Sequence, residues 1–251
     1  MGATSSLAVV LDGLSTVGLE TGCEHGVTWY VAQLGGHLMA ALADTERSLT
    51  DGLAQALEQV AVLHSTCDLA NPGTPSATVS ILRAGVEHFD YLVLADSPIV
   101  FERGGDYLVK TDLRVDTVVP ELRAETERFI TGTPEHTASV RRMVTAQRLT
   151  RNTVGGYWVA ASTREAADHA FTGSVPAVGI GSVAVMSDGA SRLVTDYGEA
   201  SWAEVFTTLR TAGAHGLISA VRDVEATDPD GVRWPRYKRG DDAAVAFCQI
   251  L

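Results

Sequence analysis

The chain has 251 residues and a formal net charge of −12, from 31 acidic and 19 basic side chains. This length is sufficient for one domain with a full hydrophobic core, and we expect a single domain over residues 1–251. The negative charge disfavours nucleic acid or an anionic membrane as a partner. The sequence has neither an apolar stretch of the roughly 20 residues that span a bilayer nor an evident secretion signal, which predicts a cytoplasmic protein.

Segments with the periodicity of strands and helices alternate in the first half of the chain. They are a strand at 7–11, helices at 29–42 and 49–64, and strands at 77–82, 89–95, 99–102 and 107–110. Turn residues separate these last four strands, which predicts an antiparallel meander. Residues 112–151 are richer in charge and helical in pattern, with a break near Gly132, and we expect a helical excursion from the domain there.

The second half of the chain continues the alternation of strands and helices. Its predicted elements are a strand at 155–159, a short helix at 163–171, a strand at 182–187, helices at 202–209 and 216–225, and a last strand at 243–251. Arginine is far more frequent than lysine, which occurs only at Lys110 and Lys238. We associate this usage with GC-rich bacterial genomes.

Four aspartates stand at the ends of strand-like runs. Asp12, Asp96 and Asp188 each follow such a run, and Asp241 precedes the last one. Because the start of one antiparallel strand lies beside the end of its neighbour, these carboxylates can gather at one edge. Clustered carboxylates raise each other's pKa, and a hard cation such as Mg²⁺ or Mn²⁺ neutralises them. An Asp followed by Gly or Ser is also a common turn former, and this alternative stays open for each copy.

The three cysteines are an odd number in a chain without a secretion signal, so we expect reduced thiols. Cys23 and His25 lie close in sequence and suggest a zinc site with Cys67. The Cys-x-x-Cys or His-x-x-x-His spacing of known zinc sites is absent. The pattern therefore favours ordinary packing of these side chains.

Short motifs recur along almost the whole chain in a fixed order, with two helices after the first of them. They are Leu11-Asp12-Gly13, Thr74-Pro75-Ser76-Ala77-Thr78, Ala95-Asp96-Ser97, Ser187-Asp188-Gly189 and Asp241-Asp242-Ala243. Together they resemble the PPM, or type 2C, metal-dependent serine/threonine protein phosphatases. The resemblance implies an α+β fold, a four-layer α/β/β/α sandwich of two antiparallel sheets flanked by helices.

The resemblance also implies roles for the matched positions. Asp12 resembles the acid that bridges two metal ions, Gly13 the residue whose carbonyl oxygen helps to bind one of them, and Asp188 and Asp241 the carboxylates that complete the pair. Asp12, Asp188 and Asp241 would then be catalytic, since water between two Mg²⁺ or Mn²⁺ ions attacks phosphoserine or phosphothreonine. Asp96 resembles the acid of a third metal site.

The chain departs from the family pattern at two places. At the third metal site, Ala95 replaces the usual glycine and Pro98 the usual arginine. At the N-terminus, the family has a strand that carries a phosphate-binding arginine and an Asn-Glu-Asp acid, whereas Met1 lies only six residues before the first strand here. We therefore expect either a longer natural chain or a reduced phosphate pocket.

Two other functions stay open beside protein dephosphorylation. The missing N-terminal elements favour a phosphatase-like binding or regulatory module with reduced or no catalysis. A small phosphate ester is the other candidate substrate, with residues 112–151 shaping a narrow site. The sequence indicates neither the oligomeric state nor the general acid, and His25 and His37 are interpreted as ordinary histidines.

Overall fold

The strands pair into two antiparallel sheets in this computed structural model, which describes residues 1–16 and 18–250. The strands are β1 (Gly2–Ala3), β2 (Leu7–Gly13), β3 (Ala77–Ala84), β4 (His88–Leu94), β5 (Ile99–Arg103), β6 (Asp106–Lys110), β7 (Phe171–Pro176), β8 (Ile180–Met186) and β9 (Val245–Gln249). The first sheet has the order β1-β2-β3-β4-β7 and the second β6-β5-β8-β9.

Helices lie outside the two sheets, on their outer faces and over a cavity at one end. They are α1 (Val27–Ala41), α2 (Leu49–Leu63), α3 (Arg114–Thr117), α4 (Pro120–Thr126), α5 (Pro134–Leu149), α6 (Asp188–Thr195) and α7 (Trp202–Thr227), with a 3₁₀ helix at Arg164–His169. None of the helices in residues 1–16 and 18–250 is long and apolar enough to cross a membrane.

The core has three apolar layers, and strand β2 shows how the sequence produces them. Leu7, Val9 and Leu11 pack in the layer beneath α1 and α2, whereas Ala8 and Val10 pack between the two sheets. Successive side chains of a strand point to opposite faces, so a strand that is covered on both faces must be apolar at every position. A third layer joins the second sheet to α6 and α7. The predicted four-layer sandwich is confirmed.

The predicted single meander is wrong, because the chain changes sheet between its second and third strands. Strand β4 pairs with β3 in the first sheet, while β5 pairs with β6 and β8 in the second. The change occurs at Ala95, whose backbone is in the left-handed region with φ 71°. A turn signal in the sequence marks such a change of direction but does not say in which sheet the next strand pairs.

Two further elements differ from the sequence prediction. Residues 155–159 form only isolated bridges, between Arg151 and Tyr157 and between Ala77 and Ala160. Strand β7 was not predicted, because it is an edge strand with mostly exposed or half-exposed residues and lacks a buried apolar stripe. Within α7 the two predicted helices at 202–209 and 216–225 are confirmed, because Gly213 between them has the non-helical values φ 67° and ψ −169° and marks a kink.

Candidate metal centre

Three of the predicted aspartates meet at one end of the two sheets. Asp12 ends β2, Asp188 begins α6 directly after β8, and Asp241 lies in the loop before β9. The carboxyl groups of Asp12 and Asp188 are close enough for Asp188 to affect the pKa of Asp12. The same nitrogen, Nη2 of Arg192, lies 3.6 Å from Asp188 Oδ2 and 2.7 Å from Asp241 Oδ2. We call Asp12, Asp188 and Asp241 the aspartate cluster.

The aspartate cluster concentrates negative charge in a partly buried position. Burial and then the neighbouring carboxyl groups of Asp188 and Asp241 raise the pKa of Asp12 to about 9, although the charge of Lys238 opposes this rise. The cluster therefore retains a proton at neutral pH when no cation is bound. Carboxylate oxygens are the ligands that Mg²⁺ and Mn²⁺ prefer, so the donor set fits a divalent cation that would displace this proton.

Two cationic side chains already contact the cluster. Arg192 is 8% exposed, and besides its contacts with Asp188 and Asp241 its Nε lies 3.5 Å from Asp196 Oδ2. Lys238 contacts the other carboxylate oxygen of Asp241 and is 43% exposed. Sequence reasoning missed both residues. The four-residue spacing of Asp188 and Arg192 at the start of a helix is the signal that would have indicated the first pair.

Asp96 lies at the same end of the sheets, after β4, and lines the same cavity as the aspartate cluster. Burial and then the charge of Asp188 raise the pKa of Asp96 to about 7, with smaller contributions from Asp116 and Asp112. The structure thus brings Asp96 close enough to Asp188 for their charges to interact. Ala95, which replaces the usual glycine, has the left-handed backbone that glycine adopts without strain.

Two glycines allow the chain segments of the centre to approach each other. A Cβ at Gly13 would lie 2.4 Å from Cγ1 of Val27, the first residue of α1. A Cβ at Gly189 would lie 2.2 Å from the carbonyl oxygen of Asp242. Glycine at 189 therefore lets the start of α6, which carries Asp188, pack directly against the loop that carries Asp241.

A cavity of about 600 Å³ lies over the aspartates. The predicted helical excursion covers it, since α3, α4 and α5 all belong to residues 112–151 and contribute wall residues. These residues give an apolar part, with Val115, Val140 and Val144, and a cationic part, with Arg123 and Arg148. The cationic part of the wall would attract an anionic group, and the apolar part would contact the rest of the molecule that carries this group.

Arg148 is one of five cavity residues with a buried polar atom that has no hydrogen-bond partner among residues 1–16 and 18–250, the others being Thr111, Arg123, Arg192 and Tyr237. Nη2 of Arg148 donates to the carbonyl oxygen of Ser15 over 3.2 Å. Its Nη1 is buried and has no hydrogen-bond partner among residues 1–16 and 18–250. Burial lowers the pKa of Arg148, which reflects the cost of holding this charge out of water. Nothing in the sequence distinguishes Arg148 from its helical neighbours Arg141 and Arg142.

The neighbouring Arg151 is already engaged by the protein. Its Nη1 donates to the carbonyl oxygen of Thr74 over 2.8 Å and to Oγ of Ser76 over 2.9 Å, and its Nη2 donates to Oγ1 of Thr74 over 2.8 Å. The motif at Thr74–Thr78 thus anchors the end of the helical excursion to the first sheet. Arg151 therefore supports the cavity wall, whereas Nη1 of Arg148 donates no hydrogen bond to the described residues.

The family model described as protein phosphatase 2C matches residues 2–222 of the chain. This match contains Asp12, Asp96 and Asp188, and it ends before Asp241. No curated protein matches the chain. Comparison with solved structures therefore provides the other evidence of relationship.

Several bacterial proteins of known structure have a similar fold. The serine/threonine phosphatase PstP/Ppp of Mycobacterium tuberculosis has a TM-score of 0.58 and 15% identity, over 99% of this chain and 90% of that chain. PppA of Pseudomonas aeruginosa has a TM-score of 0.54 and 18% identity, over 97% and 85%. The catalytic domain of PstP in complex with two manganese ions has a TM-score of 0.52 and 16% identity, over 97% and 87%. With the family match over most of its length, this chain belongs to the protein phosphatase 2C family.

Proposed function

We propose that the protein is a Mg²⁺- or Mn²⁺-dependent phosphatase that hydrolyses phosphoserine and phosphothreonine in proteins. The observation that carries the proposal is the convergence of Asp12, Asp188 and Asp241 below a cavity whose wall contains Arg148. The two manganese ions of the PstP complex support the choice of metal. Membership of the protein phosphatase 2C family supports a phosphorylated protein as the substrate.

The carboxylates of the aspartate cluster and the carbonyl oxygen of Gly13 would hold two ions, and Asp96 would hold a third. Divalent cations at this position supply Lewis acidity, which activates water and neutralises charge on the phosphoryl oxygens. The raised pKa of Asp12 reflects the repulsion among these carboxylates that a cation would compensate. An acidic protein can thereby accept an acidic substrate.

Arg192 and Lys238 have different parts in this centre. Arg192 is buried among three carboxylates and holds Asp188 and Asp241 in a fixed relation. Lys238 is more exposed and contacts Asp241 alone. We therefore infer that Lys238 leaves Asp241 when a divalent cation binds, whereas Arg192 stays, and that Oδ1 of Asp241 is the oxygen made available.

Arg148 would bind the substrate's phosphate. Arg148 lines the cavity and its buried Nη1 has no hydrogen-bond partner among the described residues, and a phosphoryl oxygen is a natural acceptor for an unsatisfied guanidinium group. Helix α5 would thus supply a phosphate-binding arginine to the site. The apolar residues Val140 and Val144 of the same helix would contact the side chain that carries the phosphate.

A binding module with reduced catalysis is the second candidate. It is favoured by the contact of both carboxylate oxygens of Asp241 with cationic side chains, Arg192 at one oxygen and Lys238 at the other. A divalent cation has to compete with these charges. If they prevailed, the cavity would bind a phosphorylated segment without releasing phosphate.

One experiment separates these functions. Phosphate release is measured with Mn²⁺ from a phosphothreonine peptide and from a small aryl phosphate, and peptide binding is measured in parallel. Release that is faster from the peptide, in kcat/KM, supports the protein phosphatase. Faster release from the aryl phosphate indicates a small-molecule esterase, and peptide binding without release from either substrate indicates the binding module.

A further inference from the structure

Four side chains with nitrogen or sulfur ligand atoms form a second cluster in the protein. None of them belongs to the aspartate cluster. Cys23 and His25 lie between β2 and α1, while His64 follows the last residue of α2 and Cys67 lies three residues further on. One ligand atom from each of the four lies within 4.8 Å of all the others. We call these four residues the cysteine–histidine cluster.

The distances within the cluster match those of a tetrahedral metal site. The two sulfurs are 3.3 Å apart, Sγ of Cys23 lies 3.4 Å from Nδ1 of His64 and 3.7 Å from Nδ1 of His25, and Sγ of Cys67 lies 3.4 Å from Nδ1 of His25. Zinc bonds of about 2.3 Å to sulfur and about 2.05 Å to nitrogen place tetrahedral ligands about 3.8 Å (S to S) and about 3.6 Å (S to N) apart. These four distances lie within about 0.5 Å of the tetrahedral values, and the other two ligand pairs lie within 4.8 Å.

The surrounding residues hold the cluster in this arrangement. The ring of Trp29 stacks on His25 with centroids 4.0 Å apart and meets His64 edge-on at 4.8 Å. The amide of Asp68 donates to the carbonyl oxygen of Gly22 over 2.8 Å, which joins the two loops beside the cluster. His64 is 3% exposed and the other three side chains are partly exposed, so an ion can enter from solvent.

We propose that the cysteine–histidine cluster binds one Zn²⁺ through two thiolates and two imidazoles. Thiolate and imidazole select zinc, whereas the carboxylates of the aspartate cluster select Mg²⁺ or Mn²⁺. Four protein ligands leave no open position for substrate or water, so the zinc is structural. It joins the segment before α1 to the end of α2 and stabilises the helical layer on the first sheet.

The sequence favoured ordinary packing because the cluster lacks a consecutive zinc motif. Its halves are Cys23-Glu24-His25 and His64-Ser65-Thr66-Cys67, and Cys23 and Cys67 are 44 positions apart. The antiparallel packing of α1 on α2 brings the start of the first helix beside the end of the second, and this supplies the proximity that the sequence does not show. A zinc site of this kind depends on the tertiary fold.

Cobalt and zinc titrations test the proposal. The protein is reduced, stripped with a chelator and titrated with Zn²⁺ against a chromophoric competitor, and Co²⁺ is used as a spectroscopic probe. We expect one tightly bound Zn²⁺ per chain and a Co²⁺ spectrum with strong tetrahedral d–d bands and thiolate charge-transfer absorption. Carboxylates cannot produce the charge-transfer band, so metal at the aspartate cluster does not contribute to it.

Matched variants locate the bound ion. C67S removes a proposed ligand, whereas C248S removes the remaining thiol, which lies in β9. We expect C248S to behave as wild type, and C67S to bind Zn²⁺ at least 100-fold more weakly and to lose most of the charge-transfer band. Equal zinc affinity in C67S and wild type would overturn the proposal. Two other results would overturn it as well. One is a Co²⁺ spectrum of the reduced wild-type protein without thiolate absorption, and the other is a protein that forms a Cys23–Cys67 disulfide but binds no Zn²⁺ when reduced.

Thermal unfolding gives a second readout that does not depend on the variants folding well. Because zinc binds the folded chain, its addition should raise the Tm of the wild-type protein and of C248S, and a chelator should reverse this rise. If C67S does not fold, the wild-type titration, the cobalt spectrum and this reversible shift still decide the matter. A Tm that zinc leaves unchanged in the stripped, reduced wild type would contradict a structural site.

Discussion

Arg192 and Asp241 are 49 positions apart in sequence, and Nη2 of Arg192 donates to Oδ2 of Asp241 over 2.7 Å in the interior of the protein. The same guanidinium group lies against Asp188 and Asp196. The protein thus supplies part of the positive charge that its own carboxylates require. This pair connects helix α6 to the loop before β9 and fixes the geometry in which any divalent cation would bind.

Replacing Arg192 by alanine should destabilise the metal-free protein. Loss of Arg192 leaves Asp188 and Asp196 without a cationic partner and Asp241 with Lys238 alone, and breaking a buried ion pair in this way costs about 3–5 kcal/mol. Mn²⁺ should restore part of this loss, because the ion then provides the missing charge. Denaturant unfolding with and without Mn²⁺ measures both effects.

The control for this substitution is Arg164→Ala. Arg164 pairs with Glu58 at the surface, with both side chains more than half exposed, and such pairs contribute less than about 1 kcal/mol. The stability of the Arg164→Ala protein should be close to that of wild type, and Mn²⁺ should not restore stability there as it does in Arg192→Ala. An Arg192→Ala protein that is as stable as the control would contradict the role given to Arg192.

Replacing Arg148 by alanine should weaken the use of substrate. A charged hydrogen bond contributes about 1.5–3 kcal/mol, which corresponds to a fall of about 10- to 100-fold in kcat/KM for a phosphopeptide. Arg148→Lys should restore part of the activity, because the charge remains and the guanidinium geometry does not. Steady-state kinetics at saturating Mn²⁺ provide the measurement.

Arg141→Ala is the matched control, since Arg141 lies in the same helix and is exposed. Its guanidinium makes only a 3.4 Å contact with the carbonyl oxygen of Gly18 among the described residues. Equal losses of kcat/KM in Arg141→Ala and Arg148→Ala would show that the phosphate does not bind to Nη1 of Arg148.

Replacing Gly189 by alanine should disturb the centre through the backbone. The new Cβ would lie 2.2 Å from the carbonyl oxygen of Asp242, so the loop that carries Asp241 has to move. We expect a loss of about 1–3 kcal/mol in stability and weaker Mn²⁺ binding, measured by unfolding and by calorimetry.

Gly36→Ala is the corresponding control in an open position. A Cβ at Gly36 meets no atom within 4 Å, and the residue lies inside helix α1. Alanine should stabilise the protein there by up to about 1 kcal/mol and leave Mn²⁺ affinity unchanged. A Gly189→Ala protein with unchanged stability and affinity would refute the close packing described for α6.

Asp228 gives a pH dependence that is separate from the metal centre. Burial tends to raise the pKa of Asp228, but backbone hydrogen bonds from Trp234, Val232 and Arg233 and a side-chain bond from Arg236 lower it below its usual 3.8. A folded pKa below the unfolded value stabilises the protein above pH 3.8, and this stabilisation is lost as pH falls through the folded pKa.

Asp228→Asn should therefore lower the free energy of unfolding at pH 7 by about 1–3 kcal/mol. The difference between the variant and wild type should shrink as the pH falls below about 4. Urea unfolding at several pH values checks this. A difference that is the same at pH 3 and pH 7 would contradict a charged acceptor at this turn.

The strand periodicity of the sequence predicted most of the strands and the positions of the acids, whereas the four-layer sandwich was expected from the resemblance to the PPM phosphatases. Asp12, Asp96 and Asp188 could be predicted because each follows an apolar strand directly, and a strand fixes the position of its end residue. Asp241 was predicted from the same pattern in reverse, before β9. The assignment of strands to sheets could not be predicted, because the left-handed turn at Ala95 is a tertiary feature.

The cationic side chains of the site illustrate what the sequence does not show. Arg148 and Arg141 lie in the same helix, and only Arg148 lines the cavity. Which side of α5 faces the cavity depends on how the helix packs over it. Lys238 lies in the loop beside Asp241, where its sequence position alone does not indicate an ion pair. Contacts between loops and distant elements depend on how the elements pack, and local sequence patterns do not predict them.

Phosphate release by the wild-type protein and by Asp188→Ala, measured on one phosphothreonine peptide with and without Mn²⁺, tests the central claim most directly. Asp106→Ala, in the exposed hairpin between β5 and β6, is the control. We predict that wild type and Asp106→Ala release phosphate only with Mn²⁺, and that Asp188→Ala loses activity by orders of magnitude while its Tm stays close to that of wild type. Wild-type activity in a folded Asp188→Ala protein would contradict the account.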